Sequence, residues 1–222
     1  MCRVRSYLER HIEPSEWWGA LLFGLIMAMI FTVGGRSVVA EGEDATHDML
    51  VGVIGCNVAW GIIQGWMFVL EAVFERTRLA HLLKEVKEST DEEQALAAIR
   101  DELDPTLEMV ASDEERARLY AHILGNVKKA DQPKTGIKRD DLITATIIFV
   151  LISLTALPAV LPFLLMDNLR DALRVANSLQ VLLLFLVGFG WANATHANRW
   201  VSGLGVMFVG ILMAVVGELL GG

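Results

Sequence analysis

Three polar side chains interrupt the apolar stretch 49–74 at intervals of seven residues: Asn57, Gln64 and Glu71. On an α-helix this spacing keeps the side chains on one face, with a drift of about 20° per heptad. Met67 lies on the same side, because it follows Gln64 by three residues and precedes Glu71 by four. These four residues, the polar row, are a candidate hydrophilic or metal-binding path through a membrane.

The polar row also has a structural interpretation. Amide side chains inside a membrane often bond neighbouring helices, so Asn57 and Gln64 would join helices while Glu71 lies at the cytoplasmic interface. Both interpretations require the row to face protein or a cavity, because polar side chains are costly in hydrocarbon.

Five apolar runs are long enough to cross a bilayer, which takes about 20 helical residues. The chain is 54% hydrophobic, and its charges are concentrated between the second and third runs. The sequence therefore predicts an all-α polytopic membrane protein embedded in the lipid bilayer. A small cytoplasmic helical insert would lie between its second and third membrane helices. The predicted membrane helices are 17–39, 49–74, 142–166, 176–192 and 201–220, and the predicted domains are 1–74, 75–141 and 142–222.

Small residues and prolines indicate how the membrane helices pack. Ala20, Gly24 and Ala28 recur every four residues in the first helix, which permits close helix contact. Pro158 and Pro162 remove backbone donors from the third membrane helix and should kink or end it.

The insert carries its own start and stop signals. Thr90 to Glu93 and Ser112 to Glu115 both match a capping box, which predicts helix starts near residues 91 and 113. Pro105, which follows Asp104, is expected to break the chain between them, and Gly125 to end the last helix.

The distribution of positive charge predicts the orientation. Sixteen of the 19 Lys and Arg residues fall in residues 1–16, 75–141 and 193–200, and positive residues accumulate on the cytoplasmic side. We therefore expect a multi-pass protein of the cell (inner) membrane. Its N-terminus and residues 75–141 would be cytoplasmic and its C-terminus outside.

Several functions are disfavoured by the sequence. A net charge of −8 argues against a nucleic-acid partner. Two cysteines, one of them inside a membrane helix, do not make a disulfide framework. Because no nucleotide-binding, zinc-protease or nucleophile motif occurs, we predict neither an enzyme nor a tightly bound cofactor.

Five membrane helices with an acidic helical insert between the second and third resemble the vacuolar iron transporter family. Three segments carry the resemblance: NVAWGIIQGWMFVLE at 57–71, LTALPAVLPFLL at 154–165 and RWVSGLGVMFVGILMAVVGELLGG at 199–222. It implies transport of Fe(II) or Mn(II) by a homodimer with the pathway between subunits. An Asp-Gly pair of the family's first helix falls on Met27-Ala28 here, and a Glu and a Met of its second helix fall on Asn57 and Gly65. Met27 thus joins the polar row as a candidate path residue.

The family's insert binds metal through Glu and Met, and the resemblance implies five candidate ligands here: His81, Glu85, Glu88, Glu108 and Met109. The first three share one face of a helix, and imidazole and carboxylate suit Fe, Mn or Zn. Lys84 and Lys87 lie beside them, so charge pairing on a solvated face explains the same residues.

Two classes of function follow. The first is a divalent-metal transporter in which the insert collects metal and the membrane helices form the path. The second is a non-transporting membrane scaffold or sensor that keeps the fold but has lost the intramembrane ion site.

Overall fold

The computed structural model describes residues 14–38, 45–129, 134–195 and 197–219. Every regular element within those ranges is an α-helix. We number them α1 Pro14–Val38, α2 Ala45–Glu88, α3 Glu92–Leu107, α4 Asp113–Val127, α5 Arg139–Leu154, α6 Leu157–Leu165, α7 Leu169–Thr195 and α8 Arg199–Leu219.

Five helical segments are long and apolar enough to cross a membrane. They are Glu16–Gly34, Thr46–Glu88, Arg139–Leu165, Leu169–Asn193 and Arg199–Val216. The prediction of an all-α polytopic membrane protein with five membrane helices is therefore confirmed.

The chain divides into two compact units. The membrane unit comprises Met1–Phe68 and Arg139–Gly222, and the insert unit comprises Val69–Lys138.

In the membrane unit, α1 packs against α5, α6, α7 and α8. The buried faces of these helices form apolar clusters, the largest of which joins α1 to α7 and α8 through Leu25, Ile26, Met29, Leu184, Val187 and Ala214. The predicted close contact along α1 is found at Gly24, where an added Cβ would collide with the Thr155 hydroxyl.

Helix α2 reaches α5 through two glycines. A Cβ added at Gly61 would lie 3.0 Å from the carbonyl oxygen of Phe149, and one added at Gly65 would lie 2.8 Å from that of Ala145. A contact of 2.8 Å is shorter than real Cβ atoms make, so a side chain at position 65 would not fit. The backbones of α2 and α5 therefore lie directly against each other.

The third membrane segment is interrupted where the prolines predict. Helix α5 ends at Leu154 and α6 begins at Leu157, with Pro158 in its first turn. Proline has no N–H to continue the hydrogen bonding of the preceding helix, and its ring clashes with that helix's backbone. Pro162 lies inside α6, which has only nine residues.

The insert unit is held by one apolar cluster and several ion pairs. The cluster joins the end of α2 to α3 and α4 through Val86, Ala95, Ile99, Tyr120 and Leu124. Arg78 lies 2.9 Å from the Glu102 carboxylate and 3.2 Å from that of Glu75.

Helix α3 begins at Glu92, near the predicted residue 91, but its capping residue and the role of Pro105 were predicted wrongly. The cap of α3 is Asp91 rather than Thr90, because the Asp91 carboxylate accepts the Glu93 amide at 3.0 Å. Pro105 does not break the chain, since it lies in the last turn of α3, where one lost backbone donor is tolerated.

The start of α4 is as predicted and its end is not. Ser112 and Glu115 form the predicted capping box, so α4 begins at Asp113. The helix continues past Gly125 to Val127, and its last residue is followed by Lys128 in the right-handed helical conformation. Gly125 is therefore not used as a left-handed cap.

Candidate functional site: polar side chains inside the membrane unit

Asn57 is completely buried and lies where three segments meet. Its amide nitrogen is 3.1 Å from the Gly24 carbonyl of α1, 3.3 Å from the Ile152 carbonyl of α5 and 3.0 Å from the Thr155 hydroxyl after α5. The Thr155 hydroxyl itself donates to the Ile152 carbonyl at 2.6 Å. Asn57 thus bonds α2 to α1 and to the end of α5, which supports the interpretation that it joins helices.

The rest of the polar row turns away from this contact. Gln64 is half-buried and Met67 is 53% exposed in the single chain. Positions spaced by four residues advance about 40° around a helix, whereas positions spaced by seven fall back about 20°. Because α2 packs on α5 along Asn57, Gly61 and Gly65, the seven-residue row rotates out of the contact. The expectation that the whole row faces protein is therefore wrong for Met67 in one chain.

Glu71 belongs to the insert unit and is exposed. Met27, the candidate in the first helix, is half-buried, and its neighbour Ala28 is buried in an apolar cluster with Val53 and Ala159. The structure therefore places Asn57 among hydrogen-bond partners and leaves Gln64, Met67 and Glu71 with part or all of their side chains uncovered.

A second polar cluster, which the sequence did not single out as a site, joins α1 to α7. The Thr32 hydroxyl lies 2.7 Å from Asn177 Oδ1, 3.1 Å from the Met29 carbonyl and 3.4 Å from Gln180 Oε1. Thr32 and Gln180 are both fully buried. Asn177 and Gln180 are the visible sequence signal, since they are strongly polar residues near the start of a membrane helix.

Asp141 is a buried carboxylate that sequence reasoning assigned to the insert. It is 9% exposed and lies in the first turn of α5 with the buried Thr144 one turn later. Both side chains are engaged in polar interactions. The sequence signal for their burial was helical spacing. Asp141 and Thr144 share one buried face of α5 with Ile148 and Ile152.

The five candidate ligands of the insert lie at its surface. His81, Glu85 and Glu88 are exposed on α2, and the Lys84 ammonium lies 3.9 Å from the Glu88 carboxylate. Glu108 and Met109 are exposed after α3. In the parts of the chain that the structure describes, no three His, Cys, Asp or Glu side chains are grouped to hold a metal ion. The Lys84–Glu88 pair agrees with the charge-pairing alternative, and metal binding stays a prediction.

The polar centre of the insert unit is an ion-pair network between α3 and α4. Asp104 Oδ1 accepts from Arg116 at 2.7 Å and from the Tyr120 hydroxyl at 2.5 Å, and Arg116 also pairs with Asp113. Burial and the bond to Asp104 raise the pKa of Tyr120. Bonds from the Ser112 amide and hydroxyl lower the pKa of Glu115. Asp104 pairs with both Arg116 and Tyr120, while the buried Arg116 Nε makes no hydrogen bond within the described residues. We regard the network as structural, because its charged groups pair with one another.

The fold and its buried polar groups define a multi-pass α-helical membrane protein with a helical insert. Residues 69–222 match the model of the VIT family, so the chain belongs to this family, the vacuolar iron transporters. Membership in this family indicates membrane transport of metal ions and confirms the resemblance seen in the sequence. No curated protein matches the chain. The match covers the insert and the last three membrane segments, whereas Met27, Asn57 and Gln64 precede it.

Proposed function

We propose that the protein transports divalent metal ions, Fe²⁺ or Mn²⁺, across the cell (inner) membrane as a homodimer. The observation that carries the proposal is the family match over 69–222, which includes the insert and the third, fourth and fifth membrane segments. The proposed orientation has the N-terminus and the insert in the cytoplasm and the C-terminus outside. It follows from the excess of Lys and Arg in those segments.

The proposed path runs along the uncovered part of the polar row. Gln64 and Met67 are only partly covered in the single chain, and Ile62, Ile63 and Trp66 beside them are at least half exposed. A polar side chain in a membrane is stable against protein or water rather than lipid. A second copy covering this face of α2 would enclose Gln64 and Met67 between subunits. The amide oxygen and the thioether would then meet a passing cation.

Glu71 supplies the carboxylate of the proposed path. It is the only ionisable side chain of the polar row, and it is exposed in the described structure. A carboxylate attracts divalent cations and suits Mn²⁺ and Fe²⁺ as an oxygen ligand. The exposed His81, Glu85, Glu88, Glu108 and Met109 would deliver metal from the cytoplasmic side.

Uptake into proteoliposomes tests the proposal. The wild-type protein should accelerate entry of Fe²⁺ or Mn²⁺ over empty vesicles, and Glu71→Gln should reduce that rate. Glu114→Gln is the matched control, because it removes another exposed carboxylate, from α4. No uptake of any divalent ion would overturn the proposal, and wild-type uptake by Glu71→Gln would remove Glu71 from the path.

A non-transporting scaffold or sensor is the second candidate, and one observation favours it. The position where the family carries a Glu in its second helix is Asn57, which is buried and hydrogen-bonded to two carbonyls and a hydroxyl. The Asn57 nitrogen is thus used to hold helices together, while its buried oxygen makes no hydrogen bond within the described residues. This candidate predicts a stable dimer with no ion flux in the same vesicles.

A further inference from the structure

A groove of about 420 Å³ lies between α1, α7 and α8 in the membrane unit. Volumes of roughly 300–1,000 Å³ are typical of sites that bind small molecules. Among the described residues, α2 contributes nothing to the walls of the groove, so it is separate from the proposed metal path. The walls are apolar over most of their length, with Leu22 and Ile26 on α1, Trp191 on α7, and Val206 and Val209 on α8.

The packing of α7 against α8 leaves the groove open beside their contact. The two helices approach closely at Gly188, where an added Cβ would lie 2.7 Å from the Ser202 carbonyl oxygen. Gly205 lines the groove one turn further along α8, and there an added Cβ would meet nothing within 4 Å. The missing side chain at position 205 therefore leaves room that no described residue fills.

The end of the groove beside the α7–α8 turn is polar. Thr195 and Ser202 carry hydroxyls on either side of this turn. Arg199 is exposed in the first turn of α8 and precedes Ser202 by three residues, so the two are neighbours on the helix surface. Within the described chain the Arg199 guanidinium lies over the Phe189 ring, 6.0 Å from its centroid, and no described carboxylate neutralises it.

The apolar end of the groove lies deeper in the membrane. Val209 follows Arg199 by ten residues, which is about 15 Å along the axis of α8. The hydrocarbon core of a bilayer is about 30 Å thick. A groove that begins at the interface beside Arg199 and ends at Val209 therefore extends through about one leaflet. A lipid acyl chain has the same reach, and it too is apolar at depth and joined to a polar headgroup at the interface.

We propose that this groove binds an acyl chain of a phospholipid whose anionic headgroup pairs with Arg199. The chain lies against the apolar walls and fills the space beside Gly205, and the headgroup meets the hydroxyls of Thr195 and Ser202. An anionic headgroup is favoured over a neutral one, because an arginine near the membrane surface attracts negatively charged lipid.

Native mass spectrometry of the full-length protein in detergent tests this site. The lipid added is palmitoyl-oleoyl phosphatidylglycerol, which is anionic, or phosphatidylcholine with the same chains, which has no net charge. The wild type should bind one phosphatidylglycerol more tightly than further copies, and about fivefold more tightly than phosphatidylcholine. Arg199→Gln should remove this preference and leave the affinity for phosphatidylcholine unchanged.

Filling the groove should displace the lipid chain. Gly205→Leu should weaken the tight binding of phosphatidylglycerol by about tenfold or more, since its side chain takes the space of about two methylene groups of the lipid. The variant should fold, because the added side chain meets open space. Val209→Phe narrows the deeper end and should weaken binding in the same direction, which gives a second variant that leaves the glycine intact.

Two variants are matched controls. Gly55→Leu adds the same side chain on α2, where the added Cβ also meets nothing within 4 Å, and should leave the tight binding unchanged. Arg174→Gln removes an exposed arginine near the opposite end of α7 and should keep the preference for phosphatidylglycerol.

Three results would overturn the proposal. The first is a wild type that binds its first lipid no more tightly than later ones. The second is equal weakening by Gly205→Leu and Gly55→Leu, because lipid would then cover the helices without a site. The third is a dimer that dissociates in Gly205→Leu while lipid binding is unchanged, which would assign the groove to a second copy of the chain.

Discussion

The membrane unit and the insert unit are both helical, but different contacts hold them. In the membrane unit, glycines bring backbones together and neutral amides and hydroxyls bond one helix to another. In the insert unit, an apolar cluster is surrounded by ion pairs and a capping box. Lipid is as apolar as leucine, so burial alone does not drive membrane helices together, whereas water does drive the insert helices together.

This difference predicts which substitutions each unit tolerates. Replacements that add volume or remove an amide should act strongly in the membrane unit. Replacements that remove one hydrogen bond or one charge should act weakly in the insert unit, because water compensates at its surface.

The largest effect is expected from Gly65→Leu. The new Cβ would lie 2.8 Å from the Ala145 carbonyl oxygen, and backbone cannot move aside as a flexible side chain can. We expect a loss of about 3 kcal/mol or more in the free energy of unfolding in detergent. Gly55→Leu is the control on the same helix, since nothing lies within 4 Å of its added Cβ. Equal losses for both variants would contradict the close α2–α5 contact.

Asn57→Ala should cost about 1–3 kcal/mol of unfolding free energy, because it removes the donor shared by Gly24, Ile152 and Thr155. The same detergent unfolding measurement applies. Asn193→Ala, at an exposed position of α7, should change stability by less than about 0.5 kcal/mol. If Asn57→Ala were as neutral as this control, Asn57 would not be joining helices.

Tyr120→Phe should have a smaller effect, confined to the insert unit. It removes the hydroxyl that donates to Asp104 but keeps the ring in the apolar cluster, so the expected cost is about 0.5–1.5 kcal/mol. Amide hydrogen exchange on the full chain should show faster opening in α3 and α4. Exchange in α7 and α8 of the same sample is the internal control, and faster exchange there would contradict two separately held units.

The smallest effect is a pH dependence at the start of α4. The pKa of Glu115 is lowered from 4.5 by the Ser112 amide and hydroxyl. Its stabilisation is therefore present above pH 4.5 and is lost as the pH falls through the lower folded value. Protection of the α4 amides, corrected for intrinsic exchange, should fall over this range in the wild type. In Glu115→Gln it should fall less.

Glu114→Gln is the control for this pH dependence, since the capping box of α4 uses Glu115. If Glu114→Gln flattened the pH response and Glu115→Gln left it unchanged, the titrating group would be Glu114 and the prediction for Glu115 would be wrong.

Hydropathy was enough to predict the five membrane helices, because the length of an apolar run is a property of the chain itself. The side that each polar residue faces was harder to predict, since it depends on which residues the neighbouring helix touches. Asn57 fits both a seven-residue and a four-residue repeat. Only the contact of Gly61 and Gly65 with α5 shows that the four-residue repeat determines how α2 packs.

Other errors have local causes. Pro105 was expected to end α3, but a proline near a helix end removes only one bond and is accommodated. Asp141 was assigned to the hydrophilic insert because charged neighbours surround it in sequence, although it is buried on α5. Thr32 gave no signal of its own, because its side-chain partners Asn177 and Gln180 are 145 and 148 residues away in the chain.

The interruption between α5 and α6 has a consequence for biogenesis. Its acceptors, the Ile152 carbonyl and the Thr155 hydroxyl, receive their outside donor from Asn57 on α2. Translation proceeds from the N-terminus, so α2 leaves the ribosome before the broken segment does. The donor is then already available when the proline-containing segment enters the bilayer, and the turn between α5 and α6 need not wait for a later helix to supply it.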